Sequence, residues 1–223
     1  MPRLDDKLRY LQIAFNYDVG LVRRVLPDVA SHVLELPRGN ERILIEAGTP
    51  YIKREGVAGI RAIRRRWPGH VVADLKTIDG AIGEVQAARA GGATAATVLG
   101  SSPTEALDLF IGHCDQLNMI SMIDMLGVAD PLRVLMRLQQ PPDVVVLHRG
   151  RDEEGTRGKL IQYRHVNRVR SKFNVLISAA GGVDIKEARS AIFNGANIVV
   201  VNLVLPGDVW TGIPTDGDVG AMA

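Results

Sequence analysis

The chain has 223 residues, with 27 Lys+Arg against 25 Asp+Glu, and 46% of its residues are hydrophobic but only 4% aromatic. This composition is typical of a soluble globular protein and excludes a disordered or collagen-like chain. A nucleic-acid-binding protein would need a surplus of cations for phosphates and aromatic surfaces for bases, and this chain has neither. We therefore expect a single domain over residues 1–223 with no nucleic-acid partner.

Cysteine content and apolar runs bear on location. The single cysteine, Cys114, excludes an internal disulfide and a cysteine-based metal cluster, and it fits a reducing compartment. The charged N-terminal sequence lacks the apolar core of a signal peptide. The longest apolar run, residues 197–206, is far shorter than the roughly 18 residues of a membrane span. The sequence predicts a cytoplasmic protein with no membrane partner.

Short runs rich in β-branched residues recur along the chain, and most are continuously apolar rather than alternating. The predicted strands are residues 11–15, 42–46, 71–75, 95–99, 120–125, 144–148, 175–178 and 198–201. Segments with helical spacing lie between them, as in the apolar stripe Ile185, Ala188 and Ile192. Continuous apolar strands separated by helices indicate a parallel sheet that is covered on both faces.

Eight β/α units in a chain of this length predict an α/β fold, a closed (β/α)8 TIM barrel. A doubly wound open sheet is the alternative, but it would want a glycine-rich phosphate turn after the first strand. Residues 16–20 contain no such turn. Glycine turns and prolines follow the last strand, so we expect a short or irregular C-terminal end, or a helix that is cut short.

Polar residues cluster at the ends of the predicted strands, where the active site of a barrel lies. Glu46, Asp74 and Asp124 interrupt three apolar runs, and a buried carboxylate is costly unless it is paired or binds a metal. Oxygen ligands of this kind suit Mg²⁺. Lys76 shares a strand face with Asp74, which would keep it charged and able to stabilise an oxyanion.

Other strand-end residues are further candidates for the site. His148 is suited to act as a general acid or base near neutral pH. Gly181 and Gly182 form either a plain tight turn or a phosphate-binding loop after the seventh strand. An isolated aspartate at a strand end is more often a turn or cap residue than a ligand, so the grouping of Asp74 with Lys76 is the more specific observation.

Residues 74–79 read DLKTID and match the D-x-K-x-x-D motif. Together with IEAGTPYIK at 45–53, IDMLGV at 123–128 and LHRGRD at 147–152, this motif resembles the orotidine monophosphate decarboxylase superfamily, and most closely its 3-hexulose-6-phosphate synthase branch. The resemblance extends over residues 10–205. The sequence is also similar to the synthase half of archaeal proteins that fuse a formaldehyde-activating enzyme to this barrel.

The resemblance implies an aldehyde-lyase. The implied reaction is a reversible aldol condensation of ribulose 5-phosphate, a sugar phosphate, with formaldehyde to give D-arabino-3-hexulose 6-phosphate. It proceeds through a Mg²⁺-stabilised enediolate, and an archaeal setting favours the cleavage direction. The resemblance further implies a homodimer with shared active sites. It also implies that the chain is the C-terminal part of such a fusion, or a partner of the formaldehyde-activating enzyme.

Roles follow residue by residue from the resemblance. The metal ligands are Glu46 and Asp74, and the catalytic residues are Lys76 beside the enediolate, Asp79 reaching into the neighbouring subunit, Asp124 on the substrate and His148 for proton transfer. Gly181 and Gly182 match the phosphate-loop glycines. Independently of the family pattern, we expect four further residues to bind substrate or phosphate, namely Asn16, Thr49, Arg151 and Asn202.

Two positions depart from the family pattern. The first strand usually ends in Asp, but here it ends in Asn16, and Asp18 is out of register by two residues. A Gly-Arg pair usually follows the eighth strand, with the arginine on phosphate, but here the pair is Asn202-Leu203. Arg149 and Arg151 are the candidate replacements for the missing cation.

Two other functions remain open at this point. A 3-keto-gulonate-6-phosphate decarboxylase would use the same scaffold without an aldehyde. A non-catalytic sugar-phosphate-binding domain is the alternative that the departures at Asn16 and Leu203 favour. Decarboxylation of orotidine monophosphate fits less well, because Ile78 and residues 46–50 follow the sugar-phosphate branch.

Overall fold

Strands and helices alternate along the chain in the computed structural model, which describes residues 3–36, 38–154, 156 and 160–216. The strands are β1 (Tyr10–Phe15), β2 (Ile43–Ala47), β3 (His70–Thr77), β4 (Ala95–Leu99), β5 (Ile120–Asp124), β6 (Val144–His148), β7 (Leu176–Ala180), β8 (Ile198–Val204) and the short β9 (Ile213–Pro214). The helices are α1 (Val19–Glu35), α2 (Gly39–Arg42), α3 (Thr49–Arg64), α4 (Ala81–Gly91), α5 (Thr104–Gln116), α6 (Pro131–Leu135), α7 (Arg164–Arg170) and α8 (Ile185–Phe193).

The sheet closes on itself. Strands β1 to β8 pair in chain order, each parallel to the next, and β1 also pairs with β8 from Tyr10↔Ile198 to Ala14↔Asn202. An open sheet would leave β1 and β8 without this pairing. The predicted (β/α)8 barrel is therefore confirmed, and the open doubly wound sheet is wrong.

Both faces of the strands are buried, which explains their continuous apolar sequences. Outward-facing residues such as Ile45 and Val71 pack against the helices, with the fully buried Phe110 and Trp67 in the same core. Inward-facing residues such as Leu44 and Val72 form a second core inside the barrel. Along β2 the inward row ends in Glu46, so the barrel interior changes from apolar at its base to polar at its mouth.

Helix α8 was predicted correctly, but of its apolar stripe only Ala188 packs against the core. Ile185 is 76% exposed and Ile192 is also exposed, whereas Ala191 is the residue of this helix that is buried. The helix begins where the Asp184 carboxylate accepts the Glu187 N–H at 2.7 Å. The cap, the small side chains Ala188 and Ala191, and a hydrogen bond from the Tyr163 hydroxyl to Glu187 hold this nine-residue helix in place.

The predicted irregular end is confirmed for residues 205–216. These residues form turns and the two-residue β9, which pairs with the end of β8 at Leu203↔Ile213 and Val204↔Pro214. The remainder of the predicted tail, residues 217–223, lies outside the described residues. Within the described part of the chain, no helix has the length and apolarity needed to cross a membrane.

Candidate active site

A cavity of about 530 Å³ opens at the carboxyl ends of the barrel strands. It brings together most of the predicted site residues. Those that line it are Asn16, Glu46, Thr49, Asp74, Lys76, Asp124, His148, Arg151, Gly181 and Asn202. Asp79 and Gly182 do not line it. Residues from β1, β2, β3, β5, β6 and β8 thus converge on one space, as the fold predicts.

The Asp74–Lys76 pair is the first feature of the mouth. The Lys76 ammonium lies 2.9 and 2.7 Å from the two Asp74 carboxylate oxygens. The strand is not regular here, because Lys76 has a φ of 48° and the β3–β4 register shifts between Ala73 and Thr77. A lysine in the left-handed region carries backbone strain, and such residues are found where a side chain must be aimed at a site.

Thr97 and Thr49 hold this irregular segment. The Thr97 hydroxyl accepts the Lys76 N–H at 3.0 Å and donates to Asp74 at 2.8 Å. The Thr49 hydroxyl, at the start of α3, lies 2.8 Å from an Asp74 carboxylate oxygen. Asp74 is therefore oriented by two hydroxyls as well as by its lysine, which fixes the position of the ammonium group.

A second carboxylate continues the row toward β6. Asp124 lies 3.0 Å from the Lys76 ammonium and 2.8 Å from Nδ1 of His148, and it also accepts the Leu126 N–H at 3.0 Å. Burial lowers the pKa of Lys76, but Asp74 and Asp124 more than offset this, so that pKa lies above its usual value. Burial raises the pKa of Asp124, but His148 and Lys76 bring it below its usual value.

His148 presents one nitrogen to the cavity. Its Nδ1 is held by Asp124, which leaves Nε2 for proton transfer. Burial lowers the pKa of His148, but the Asp124 carboxylate more than offsets this effect, and the pKa lies above its ordinary value. A carboxylate that orients an imidazole and supports its cation is the arrangement that general acid–base catalysis requires.

Glu46 completes the charged cluster at the end of β2. Burial raises the pKa of Glu46, and the charge of the neighbouring Asp74 carboxylate adds a smaller effect, so that this pKa is about 7. Gln12 Nε2 donates to one Glu46 oxygen from the inward face of β1. Gln12 and Thr97 were not predicted as site residues, because each is a single neutral polar residue inside an apolar strand. The available signal was their place in the alternation of each strand, because both side chains point inward, as those of the predicted site residues do.

The donor set at the mouth fits an open Mg²⁺ site better than a metal centre in which all ligands come from the protein. Among the described residues, no group of three or more His, Cys, Asp or Glu side chains is arranged to hold a metal ion. Mg²⁺ needs only one or two protein carboxylates and completes its octahedron with water and substrate oxygens. Glu46 and Asp74, on neighbouring strands, offer that number. Glu46 lines the cavity with one oxygen bound to Gln12 and the other without a partner among the described residues.

The two departures from the family pattern meet in space. Asn16 Nδ2 donates to Asn202 Oδ1 at 3.0 Å, so the ends of β1 and β8 are joined by a neutral amide pair. Asp18 does not replace the missing carboxylate, because it caps α1 by accepting the Leu21 N–H. Lys76 already has two carboxylate partners without a third at position 16. Leu203 is fully buried and cannot contact phosphate.

The two candidate arginines have different roles. Gly181 has a φ of 99°, and a Cβ there would lie 1.8 Å from the Arg149 carbonyl oxygen, so only glycine fits this position. Arg149 Nη2 donates to the carbonyl oxygens of Gly181 at 3.0 Å and Gly182 at 3.1 Å. Arg149 therefore holds the glycine loop from beside it, and Arg151 is the arginine that lines the cavity.

Asp79 lies outside the mouth of its own subunit. It is exposed on the loop between β3 and α4, and it lines a separate groove of about 310 Å³ together with Ile82 and Leu109. The Asp79 carboxylate therefore supplies no charge to the cavity of its own chain.

Sequence and structure comparisons identify proteins that are similar to this chain. The chain is 37% identical over 194 residues to the bifunctional enzyme Fae/Hps of Methanothrix thermoacetophila, covering 86% of this chain and 47% of that protein. It thus spans about half the length of the curated relatives it matches. The crystal structure of 3-hexulose-6-phosphate synthase from Salmonella typhimurium superposes with a TM-score of 0.73 and 26% identity, covering 86% of this chain and 88% of that one.

A 3-keto-L-gulonate-6-phosphate decarboxylase from Vibrio cholerae has a TM-score of 0.70 but only 21% identity over 88% of this chain and 89% of that one, which shows a shared fold alone. The model of the orotidine 5'-phosphate decarboxylase / HUMPS family matches residues 28–202, which include most of the barrel and its charged mouth. The chain belongs to the orotidine 5'-phosphate decarboxylase / HUMPS family.

Proposed function

We propose that this chain is an aldehyde-lyase that interconverts ribulose 5-phosphate plus formaldehyde with D-arabino-3-hexulose 6-phosphate. The observation that carries this proposal is the continuous row Asp74, Lys76, Asp124 and His148, in which buried charges contact one another at a cavity of sugar-phosphate size. The relatives named Fae/Hps and the synthase structure support the same activity.

The row suits the formation of an enediolate. His148 Nε2 removes a proton from C1 of the pentulose, and the electron pair moves onto the C2 carbonyl oxygen. The Lys76 ammonium, held charged by Asp74 and Asp124, stabilises that oxygen. C1 of the enediolate then forms a bond to the carbon of formaldehyde. The proton on His148 returns to the former aldehyde oxygen, and the reverse sequence releases formaldehyde.

A Mg²⁺ ion held by Glu46 and Asp74 would supply further neutralisation of the enediolate oxygens. Both carboxylates lie in the same mouth, where the charge of one raises the pKa of the other. The neutral Asn16–Asn202 pair offers hydrogen bonds to the sugar hydroxyls, with Thr49 nearby in the same cavity.

The phosphate group provides most of the binding energy in this proposal, because formaldehyde has no handle of its own. Arg151 lines the cavity and supplies the cation that the family usually places after β8. Gly181 lines the same cavity, so its loop can approach the phosphate closely, and Arg149 holds the loop at the Gly182 carbonyl oxygen.

The homodimer with shared active sites is part of the proposal. Ile78, Ile82 and Leu109 are 52%, 42% and 53% exposed around the groove that Asp79 lines. Exposed apolar side chains grouped around a carboxylate suit a contact between two copies of the chain. Such a contact would carry Asp79 to the mouth of the partner.

The setting of the reaction is proposed from the relatives. Because they are bifunctional and about twice as long, we propose that the chain acts next to, or fused to, a formaldehyde-activating enzyme, with cleavage to ribulose 5-phosphate as its direction. A cytoplasmic location suits the chain, whose one cysteine, Cys114, is buried and reduced.

The proposal is tested by formaldehyde consumption. The protein is incubated with ribulose 5-phosphate, formaldehyde and Mg²⁺, with and without a chelator, and Asp74→Asn is the matched inactive control. We expect consumption that the chelator stops. A folded protein that binds ribulose 5-phosphate without consuming formaldehyde would instead be a binding domain. Release of CO₂ from 3-keto-gulonate 6-phosphate, without formaldehyde turnover, would identify a decarboxylase.

A further inference from the structure

Residues 205–212, here named the strap, connect the end of β8 to β9. Their far end is fixed where β9 pairs with β8, and there the Thr215 N–H also donates to the Val204 carbonyl oxygen at 3.0 Å. A Cβ at Gly212 would lie 2.3 Å from the carbonyl oxygen of Asn202, so glycine allows the strap to pack against the strand that carries a cavity residue.

The strap is anchored on two sides of the mouth. Asp208 accepts the Leu205 N–H at 2.7 Å and the Tyr17 hydroxyl, which ties the strap to the loop after β1. The Thr211 N–H donates to Glu154 at 3.2 Å, which ties it to the segment after β6. The strap therefore spans from the loop after β1 to the loop that carries Arg151.

Trp210 lies in the strap with its ring under the guanidinium of Arg151. The distance from Arg151 Cζ to the ring centroid is 5.3 Å, within the range of a cation–π contact. Arg151 makes no ion pair with any residue that the structure describes. An aromatic face attracts the cation without using its N–H groups, whereas a carboxylate would occupy them.

We propose that Trp210 is a positioning residue that holds Arg151 over the cavity with its donors free for the phosphate of the sugar. This inference rests on the proposed function, because it concerns how that same substrate is held. It also accounts for the departure at Asn202-Leu203. The strand that lacks the usual arginine continues into the strap, and the strap orients an arginine from the segment after β6 in its place.

The test measures the dissociation constant of ribulose 5-phosphate by titration calorimetry, so it does not depend on turnover. We expect Trp210→Ala to weaken binding roughly fivefold, the usual scale of one cation–π contact, and Trp210→Phe to restore most of the loss. Val209→Ala, at an exposed neighbour in the strap, is the matched control and should bind like the wild type. Binding of unphosphorylated ribulose should be equal in all four proteins.

The dependence on Arg151 separates positioning from a general structural role. In an Arg151→Ala background, Trp210→Ala should produce no further weakening. Unchanged binding in Trp210→Ala, or the same loss with Arg151 absent, would overturn the inference while the proposed function stands. A folded wild-type protein that binds no ribulose 5-phosphate would overturn both, and this outcome is distinguished by the wild-type titration alone.

Discussion

The two ends of the barrel bury polar groups in opposite states. At the mouth, Lys76 and Asp124 are charged and paired. At the base, His70 lies at the start of β3 with 6% exposure and Nδ1 at 3.2 Å from the Thr94 hydroxyl. Burial lowers the pKa of His70 to about 4, so it is neutral in the folded protein. Burial alone therefore does not decide whether a group in this barrel is charged.

The base shows what polar groups do when their role is structural. Asn197, just before β8, accepts the Ile177 N–H at 3.1 Å and donates to the Asp6 carbonyl oxygen at 3.0 Å. As a neutral amide, Asn197 satisfies these backbone groups without the desolvation cost of a buried charge. Buried ion pairs add little stability compared with apolar packing. The row of four ionisable side chains at the mouth is therefore explained by chemistry rather than by folding.

Lys76→Ala should produce the largest effect, because it removes the cation that faces the developing oxyanion. We expect kcat for formaldehyde consumption to fall about a thousandfold, with the fold unchanged by circular dichroism. Lys172→Ala, an exposed lysine at the base, is the control and should retain full activity. If kcat of Lys76→Ala lies within tenfold of the wild-type value, the charged mouth does not differ from the base in its importance for catalysis.

Asp124→Asn should reduce kcat by roughly a hundredfold and also move the pH profile. His148 must be neutral to accept a proton, so activity is lost as the pH falls through its raised pKa. Without the Asp124 charge that pKa falls, and the acidic limb of the profile should move to lower pH. The measurement is kcat against pH for both proteins, and a limb that stays in place or moves upward would contradict the pairing.

Asp79→Ala should lower activity by roughly tenfold or more if the mouth is completed by a second subunit. Mixing this variant with Lys76→Ala, after dissociation and reassociation, should raise the activity above that of either variant alone. The mixed dimer contains one site with both Lys76 and the partner's Asp79. Absence of restored activity in a mixture shown to contain mixed dimers would exclude the shared site.

His70→Gln should change stability but not activity. The unfolded state binds a proton near pH 6.5, whereas folded His70 binds one only near pH 4. His70 therefore costs no stability above about pH 6.5, and stability falls by at most about 3 kcal/mol as the pH drops to about 4. Urea unfolding at pH 7 and pH 4.5 should show a smaller pH-dependent loss in the variant. Equal losses in the two proteins would show that His70 does not titrate in this way.

The sequence predicted the barrel because the repeated β-branched runs report burial of both strand faces, which is a local property. The charged residues of the mouth were predicted for the same reason, since Asp74 and Asp124 stand out in apolar strands. The left-handed backbone of Lys76 was not predictable, because it depends on Thr97 from the next strand. The contact between Trp210 and Arg151 was missed because it joins two loops that are distant in the chain.

The most direct test of the account is the exchange of the C1 protons of ribulose 5-phosphate in D₂O, followed by NMR with Mg²⁺ present and formaldehyde absent. The wild-type protein is predicted to exchange a C1 proton for deuterium, and His148→Asn is predicted to bind the sugar phosphate but not to catalyse the exchange. Exchange in His148→Asn at the wild-type rate, or no exchange in a wild-type protein that binds the sugar phosphate, would contradict the account.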